Sequence, residues 1–317
     1  TGSIDYNPKS WVIDTIELNW SFSDSKSGLA KVVLPNGQEV TNSSTGKYTV
    51  TENGTYNFTV TDKLGNSQVI SKEITNIDKI DPIIALAQKP TDWTDSDTII
   101  TWDCTDTQSG FREVLLPDGT LSKNPKGEYI AGRVGTYTFI GYDNVGNEKT
   151  VSIQIQNVDK TSPNLELNTN LTNWVNEDVI IDWNSSDTQS GFRDILLPDG
   201  SLTKTNAGTY IAKQNGVYTF VSYDNVGNTT MKNIEIKNID KVAPEISLEL
   251  TKGTNGGTII KWSMTDSASG VKEMLMPNGK ISNNTSGEYI VTAEGSYTFV
   301  AYDIAGNMGI KTIDVKL

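Results

Sequence analysis

This chain repeats itself. Ser-Gly pairs at Ser27-Gly28, Ser109-Gly110, Ser190-Gly191 and Ser269-Gly270 stand 82, 81 and 79 residues apart, and Pro35, Pro117, Pro198 and Pro277 keep the same intervals. A sequence made of four copies of one unit must fold as four copies of one small structure. The divisions expected from the spacing are 1–79, 80–160, 161–241 and 242–317, which account for all 317 residues.

One unit, read residue by residue, is made of strands. In the second copy TIITWDCT (98–105) alternates Ile100, Trp102 and Cys104 with Thr101, Asp103 and Thr105, the period of a half-buried strand. The turn Asp106-Thr107-Gln108-Ser109-Gly110 follows, then FREVLL and Pro117-Asp118-Gly119. The last three close a tight turn, because proline fixes φ at its start and glycine accepts positive φ at its end. LLPDGT therefore only resembles a sortase signal: Gly119 precedes Thr120, and the stretch returns as LLPDGS, VLPNGQ and LMPNGK. Its two leucines are expected in the core and Asp118 in water. Further strands are expected at 83–87, after the Pro-Asp-Gly turn, at 128–131, over GTYTFIGYD and at 149–155, about seven per copy. No amphipathic helical stretch appears, so the fold class is all-β and the unit a β-sandwich.

Tyr137 stands two residues before Phe139, as Tyr56, Tyr218 and Tyr297 stand before Phe58, Phe220 and Phe299. A tyrosine near the start of the sixth strand, two residues before a core position, is the tyrosine corner of immunoglobulin-like sandwiches. Phenylalanine takes the place of the second cysteine there, so aromatic burial is expected to hold the core without a disulfide. Trp20, Trp102, Trp183 and Trp262 lie in clean alternation and belong to that core.

The remaining composition mostly excludes. With 39 acidic against 26 basic side chains the net charge is −13, which would repel nucleic acid and an anionic membrane surface. No apolar run is long enough to insert into a membrane, and no signal peptide is present, so the segment reads as the interior of a longer protein with flanking domains. The absence of histidine removes Ser-His-Asp triads and most catalytic zinc sites. The single cysteine, Cys104, is expected to be core filler.

On these residues the chain resembles the tandem bacterial immunoglobulin-like repeats of Gram-positive secreted and cell-surface proteins. The likeness is carried by Trp102, Asp106, Ser109 and Gly110, by Leu-Pro-Asp-Gly, by Tyr142 to Asn147, and by the joint Asn157 to Pro163. It implies four tandem immunoglobulin-like sandwiches of about 80 residues in an elongated rod. Two departures concern the ends: only TGSIDYNPKS precedes Trp11, so the first strand of the first copy is expected to be short or missing, and Gly253 stands where the other copies have Trp11, Trp93 and Trp174.

The topology places candidate sites. In such a sandwich the loops between strands two and three and between the last two strands share one pole, where the chain also enters. Asp106 and Asp143 are then expected near Asp78 and Asp81 of the preceding joint, Asp187 and Asp224 near Asp159, and Asp266 and Asp303 near Asp240. Grouped carboxylates suit calcium, the one candidate cofactor, although none is required. The plainer use of the same residues is to cap their own turns. Trp93 and Trp174, in polar contexts like that of Trp11, are candidate ligand-binding platforms for sugar rings, against the plainer reading that each packs over the edge of its own sandwich. No copy carries a catalytic constellation that the others lack. The expected function is a non-catalytic extracellular stalk or adhesive arm at the bacterial surface. The alternatives are a module binding a surface glycan or a host or cell-wall protein, and an accessory spacer of a secreted hydrolase.

Overall fold

The computed structural model describes residues 1–316 and contains 28 β-strands, with no helix among the described residues. The chain forms two compact units, Thr1–Asp159 and Lys160–Leu317, and each contains two sandwiches. In the first, β1 (Gly2–Asn7), β2 (Ile16–Phe22), β3 (Leu29–Val33), β4 (Glu39–Thr41), β5 (Thr45–Val50), β6 (Gly54–Asp62) and β7 (Ser67–Ile74) form sheets of order β1-β2-β5 and β4-β3-β6-β7. In the second, β8 (Ile83–Lys89), β9 (Thr98–Thr105), β10 (Phe111–Leu115), β11 (Leu121–Ser122), β12 (Lys126–Ala131), β13 (Gly135–Asp143) and β14 (Glu148–Ile155) form β8-β9-β12 and β11-β10-β13-β14. The second unit repeats this three-plus-four arrangement twice, and every strand pair is antiparallel. Seven strands per copy is the number the sequence led us to expect.

Alternation decides which side chains fill the space between the sheets. Along β9, Thr98, Ile100, Trp102 and Cys104 point inward while their neighbours are more accessible. Trp20, Trp102, Trp183 and Trp262 are only 2–6% exposed, and Phe58, Phe139, Phe220 and Phe299 are fully buried. Each Trp lies over a glycine on the neighbouring strand. At Gly127 an added Cβ would stand 2.2 Å from Trp102 Cζ2, so only a missing side chain lets the ring lie there. Tyr129 meets Phe139 edge-on at 5.9 Å, a contact repeated by Tyr48, Tyr210 and Tyr289. The tyrosine corner is formed in all four sandwiches: Tyr56, Tyr137, Tyr218 and Tyr297 each donate from Oη to the carbonyl four residues upstream, at 2.6–2.9 Å.

Two local expectations are corrected. β1 is neither short nor missing: its six residues pair with β2 from Gly2↔Phe22 to Asn7↔Glu17, and Ile4 joins the core. The sequence suggested a deficit because little chain precedes Trp11, but Trp11 lies beyond the strand. The leucines of LLPDGT also do not both fill the core. Val114 is buried and Leu116 packs against the core, whereas Leu115 pairs with Ile140 on the opposite face. The turn itself is as expected: Gly119 has φ +84°, its N–H donates to the Leu116 carbonyl at 2.9 Å, and exposed Asp118 accepts from Thr120.

Candidate functional site

Two features recur at fixed places in the sandwiches: a clamp at their ends and an acidic pole in their loops. The clamp begins after the first strand, where the chain leaves the sheet and meets the stretch that follows the last strand. Val12 N–H donates to the Asn76 carbonyl at 3.0 Å and Asp78 N–H to the Val12 carbonyl at 2.8 Å, a parallel bridge between Val12 and Ile77. Thr94 makes the same pair with Asn157 and Asp159, and Val175 with Asn238 and Asp240. The asparagine side chains strengthen it. Asn76 Nδ2 donates to the Ser10 carbonyl at 2.7 Å, and Asn157 Nδ2 donates to Asp92 at 2.8 Å and to Pro90 at 2.9 Å. Asn53 grips Ile77 as a peptide would, accepting from its N–H and donating to its carbonyl, and Asn215 does this to Ile239. In the fourth sandwich this segment is replaced by a hairpin, with Gly253 N–H donating to the Gly257 carbonyl at 2.7 Å.

Sequence reasoning did not find the clamp, though its signal was present. Asn-Ile/Val-Asp occurs at 76–78, 157–159 and 238–240, and in the first two all three residues are buried, which a free linker would not require. The flagged tryptophans precede the bridging residues. Trp11 and Trp174 are half-buried and Trp93 is 43% exposed, and none belongs to a core cluster.

The acidic pole is built from turns. Asp106 Oδ1 accepts from the N–H groups of Gln108 and Gly110 at 3.1 and 2.6 Å. Asp143, fully buried, accepts at Oδ1 from Val145, Gly146 and Asn147 at 2.6–3.0 Å, and at Oδ2 from Asn147 Nδ2 at 2.7 Å. Asp78, from the joint, accepts from Ile80 N–H at Oδ1 and from Ser109 N–H at Oδ2, both at 2.9 Å. Asn147 Nδ2 also reaches the Asp78 carbonyl at 3.2 Å. Oxygens of Asp78, Asp106 and Asp143 all lie within 4.8 Å of one another.

The second unit builds the same pole from Asp240, Asp266 and Asp303, with Ser269 N–H on Asp240 and Asn307 Nδ2 on its carbonyl. In the third sandwich Asp187 and Asp224 cap their turns in the same manner, while the Asp159 N–H is engaged in the clamp of the second. Asp81 is exposed and stands outside the group.

Burial alone would raise the Asp78 carboxyl, but the donors of Ser109 and Ile80 outweigh it and hold the group below the usual carboxylate range. Asp240 is lowered by the same balance, with donors from Ser269 and Val242. Asp62, in the first sandwich, is held at about 2, chiefly by the Asn66 side chain. Cys104 is fully buried and its thiol is pushed up to about 11, foremost by desolvation, which fits a packing role.

No known family profile and no curated protein sequence matches the chain. Among solved structures, a bacterial ice-binding adhesin of 1.5 MDa, described for its host cell surface retention, is similar at 14% identity and a TM-score of 0.34, over 74% of this chain and 96% of that one. Escherichia coli α2-macroglobulin in its native conformation aligns at 10% identity and a TM-score of 0.23, over 100% of this chain and 29% of the other. Salmonella α2-macroglobulin aligns at 8% identity and a TM-score of 0.21, over 100% and 30%. The chain thus spans about a third of the α2-macroglobulins it aligns with.

Proposed function

We propose that the chain is a non-catalytic, extracellular stalk of a bacterial surface protein, whose sandwiches carry tension between the parts they connect. The observation that supports this most is the clamp. A pull on the two ends of a sandwich drags its first segment back and its last segment forward. Because the two run parallel where they meet, that pull loads the Val12–Ile77 bridge lengthwise. Bonds loaded lengthwise must fail together, whereas bonds peeled from one end fail singly. The repetition of the device in three sandwiches suits a part whose task is mechanical.

Single-molecule pulling of Val12→Pro, which removes the N–H donated to Asn76, tests this, with Asn76→Ala as a milder second variant. The expected result is a lower rupture force for one sandwich in both variants. An unchanged force distribution in both would refute the tension-bearing role.

A second reading is favoured by the exposure of Trp93, which leaves an indole face available for stacking on a sugar ring. On that reading the chain holds a surface glycan, or a host or cell-wall protein. Binding on a glycan array that disappears in Trp93→Ala and Trp174→Ala would favour this reading. The same build serves equally as a spacer beside a secreted hydrolase, which is the third reading.

A further inference from the structure

We propose that Asn53 and Asn215 are self-modification sites, asparagines that convert irreversibly to aspartate or isoaspartate when the clamp they hold comes open. The inference is independent of the stalk reading, since heat opens a clamp as well as force does. Five asparagines precede a glycine, at positions 36, 53, 215, 255 and 278. Glycine has no Cβ to shield its amide nitrogen, which can therefore attack the Cγ of the asparagine before it. In the first clamp the bond from Gly54 N to Asn53 Cγ forms, the Cγ–Nδ2 bond breaks, and ammonia leaves with the Gly54 amide proton. Water then opens the cyclic imide at either carbonyl, giving aspartate or its isomer with the side-chain carbon in the backbone. Nothing is oxidised or reduced, and water is the only co-reactant.

Two of the five stand in the clamp, and there they are held away from this reaction. Asn53 Nδ2 donates to the Ile77 carbonyl at 2.7 Å and its Oδ1 accepts from the Ile77 N–H at 2.8 Å. Asn215 makes the same pair with Ile239, both bonds at 2.8 Å. With both ends of the amide engaged, the side chain cannot swing its Cγ onto the next nitrogen without breaking both bonds. That nitrogen is itself set in a sheet, where Gly54 pairs with Ile74 and Gly216 with Ile236. Water is at hand, because all four residues of the two Asn-Gly pairs are exposed. What opening the clamp supplies is freedom of the side chain.

The other three asparagines are internal references. Asn36 and Asn278 each hold one turn N–H through Oδ1, that of Gln38 at 3.0 Å and that of Lys280 at 3.1 Å. Asn255, in the hairpin of the fourth sandwich, makes no side-chain hydrogen bond among the described residues. Conversion in the clamp cannot be undone by reclosing. A carboxylate has no hydrogen to give the Ile77 carbonyl, and isoaspartate adds a methylene to the strand. The second sandwich is exempt, since Val134 stands before Gly135 where the first has Asn53 before Gly54.

Incubation of the intact chain at mildly alkaline pH, followed by peptide mapping for aspartate and isoaspartate, tests this. In the folded chain Asn255 should convert first and Asn53 and Asn215 last, whereas in denaturant all five should convert at similar rates. Asn76→Ala, which loosens the first clamp, should speed conversion of Asn53 about fivefold and leave Asn215 unchanged. Adding Gly54→Ala should slow Asn53 again by shielding the attacking nitrogen. That variant should fold, because Gly54 has no positive φ and a Cβ there meets nothing within 4 Å. Asn53→Asp, the reaction's product, should unfold at lower denaturant than wild type. Conversion of Asn53 at its denatured rate in the folded chain, no response to Asn76→Ala, or undiminished conversion with Gly54→Ala overturns the proposal. An Asn53→Asp chain as stable as wild type overturns it too, because conversion would then leave the clamp intact.

Discussion

The connection between the first two strands is made in two ways in this molecule. In the first three sandwiches the chain swings out after the first strand, places Val12, Thr94 or Val175 against the end of the last strand, and returns. In the fourth, a strand of eight residues, Glu245–Lys252, runs straight into the Gly253–Gly257 hairpin and pairs with its neighbour down to Lys252↔Thr258. The two solutions hold the same core, since Trp262 and Phe299 are as deeply buried as Trp102 and Phe139. Packing the sandwich therefore does not require the excursion. The excursion adds a bond between the two points where the chain enters and leaves.

Grafting the hairpin into the second sandwich, in place of residues 90–96, should have the largest effect. It should leave the fold intact by circular dichroism and remove most of that sandwich's resistance to pulling. If resistance survives, the clamp is not its source. Asn157→Ala comes next. It strips three hydrogen bonds from a buried side chain, two donated to Pro90 and Asp92 and one accepted from Gln88, and should cost about 2 kcal/mol in denaturant unfolding of its unit. No comparable loss should follow from changing Asn255 in the hairpin.

Acid should weaken the joints more gradually. Asp78 and Asp240 have folded carboxyls below their unfolded value, so their contribution is fully present above about pH 4 and is lost as pH falls through the folded value. Asp62 follows the same sign, down to about 2. Melting temperatures measured from pH 6 to pH 2 should fall in wild type and fall less in Asp78→Asn. The smallest effect is expected at Trp93, whose substitution by Ala should change stability by about 1 kcal/mol or less, against about 3–5 kcal/mol for Trp102→Ala. A large loss at Trp93 would mean that its ring braces the clamp rather than faces a ligand.

Much of the sandwich could be read from residues, because local chemistry determines it. Alternation in TIITWDCT places Trp102, the Pro-Asp-Gly turn places Gly119, and Tyr137 announces the corner it forms. The acidic pole was legible in part: topology brings Asp78, Asp106 and Asp143 together, but not Asp81, whose exposed place depends on where the joint turns. The clamp was not legible from any one stretch. Its Asn-Ile/Val-Asp signature is present, but the carbonyl partners of Asn76 and Asn157 lie 65 to 68 residues away, and the bridge itself runs through backbone groups. The tryptophans drew attention to the right segment for another reason, being the residues next to its bridge.

If the clamp bears tension, a sandwich resists most when force runs along the bridge between its two ends. The most direct measurement compares two pulling geometries on the second sandwich of the intact chain. One applies force through attachment points flanking Lys79 and Lys160. The other uses points chosen to peel Thr94 away from Asn157 and Asp159 one bond at a time. A tension-bearing clamp gives a markedly higher rupture force in the first geometry. Equal forces in the two would contradict it.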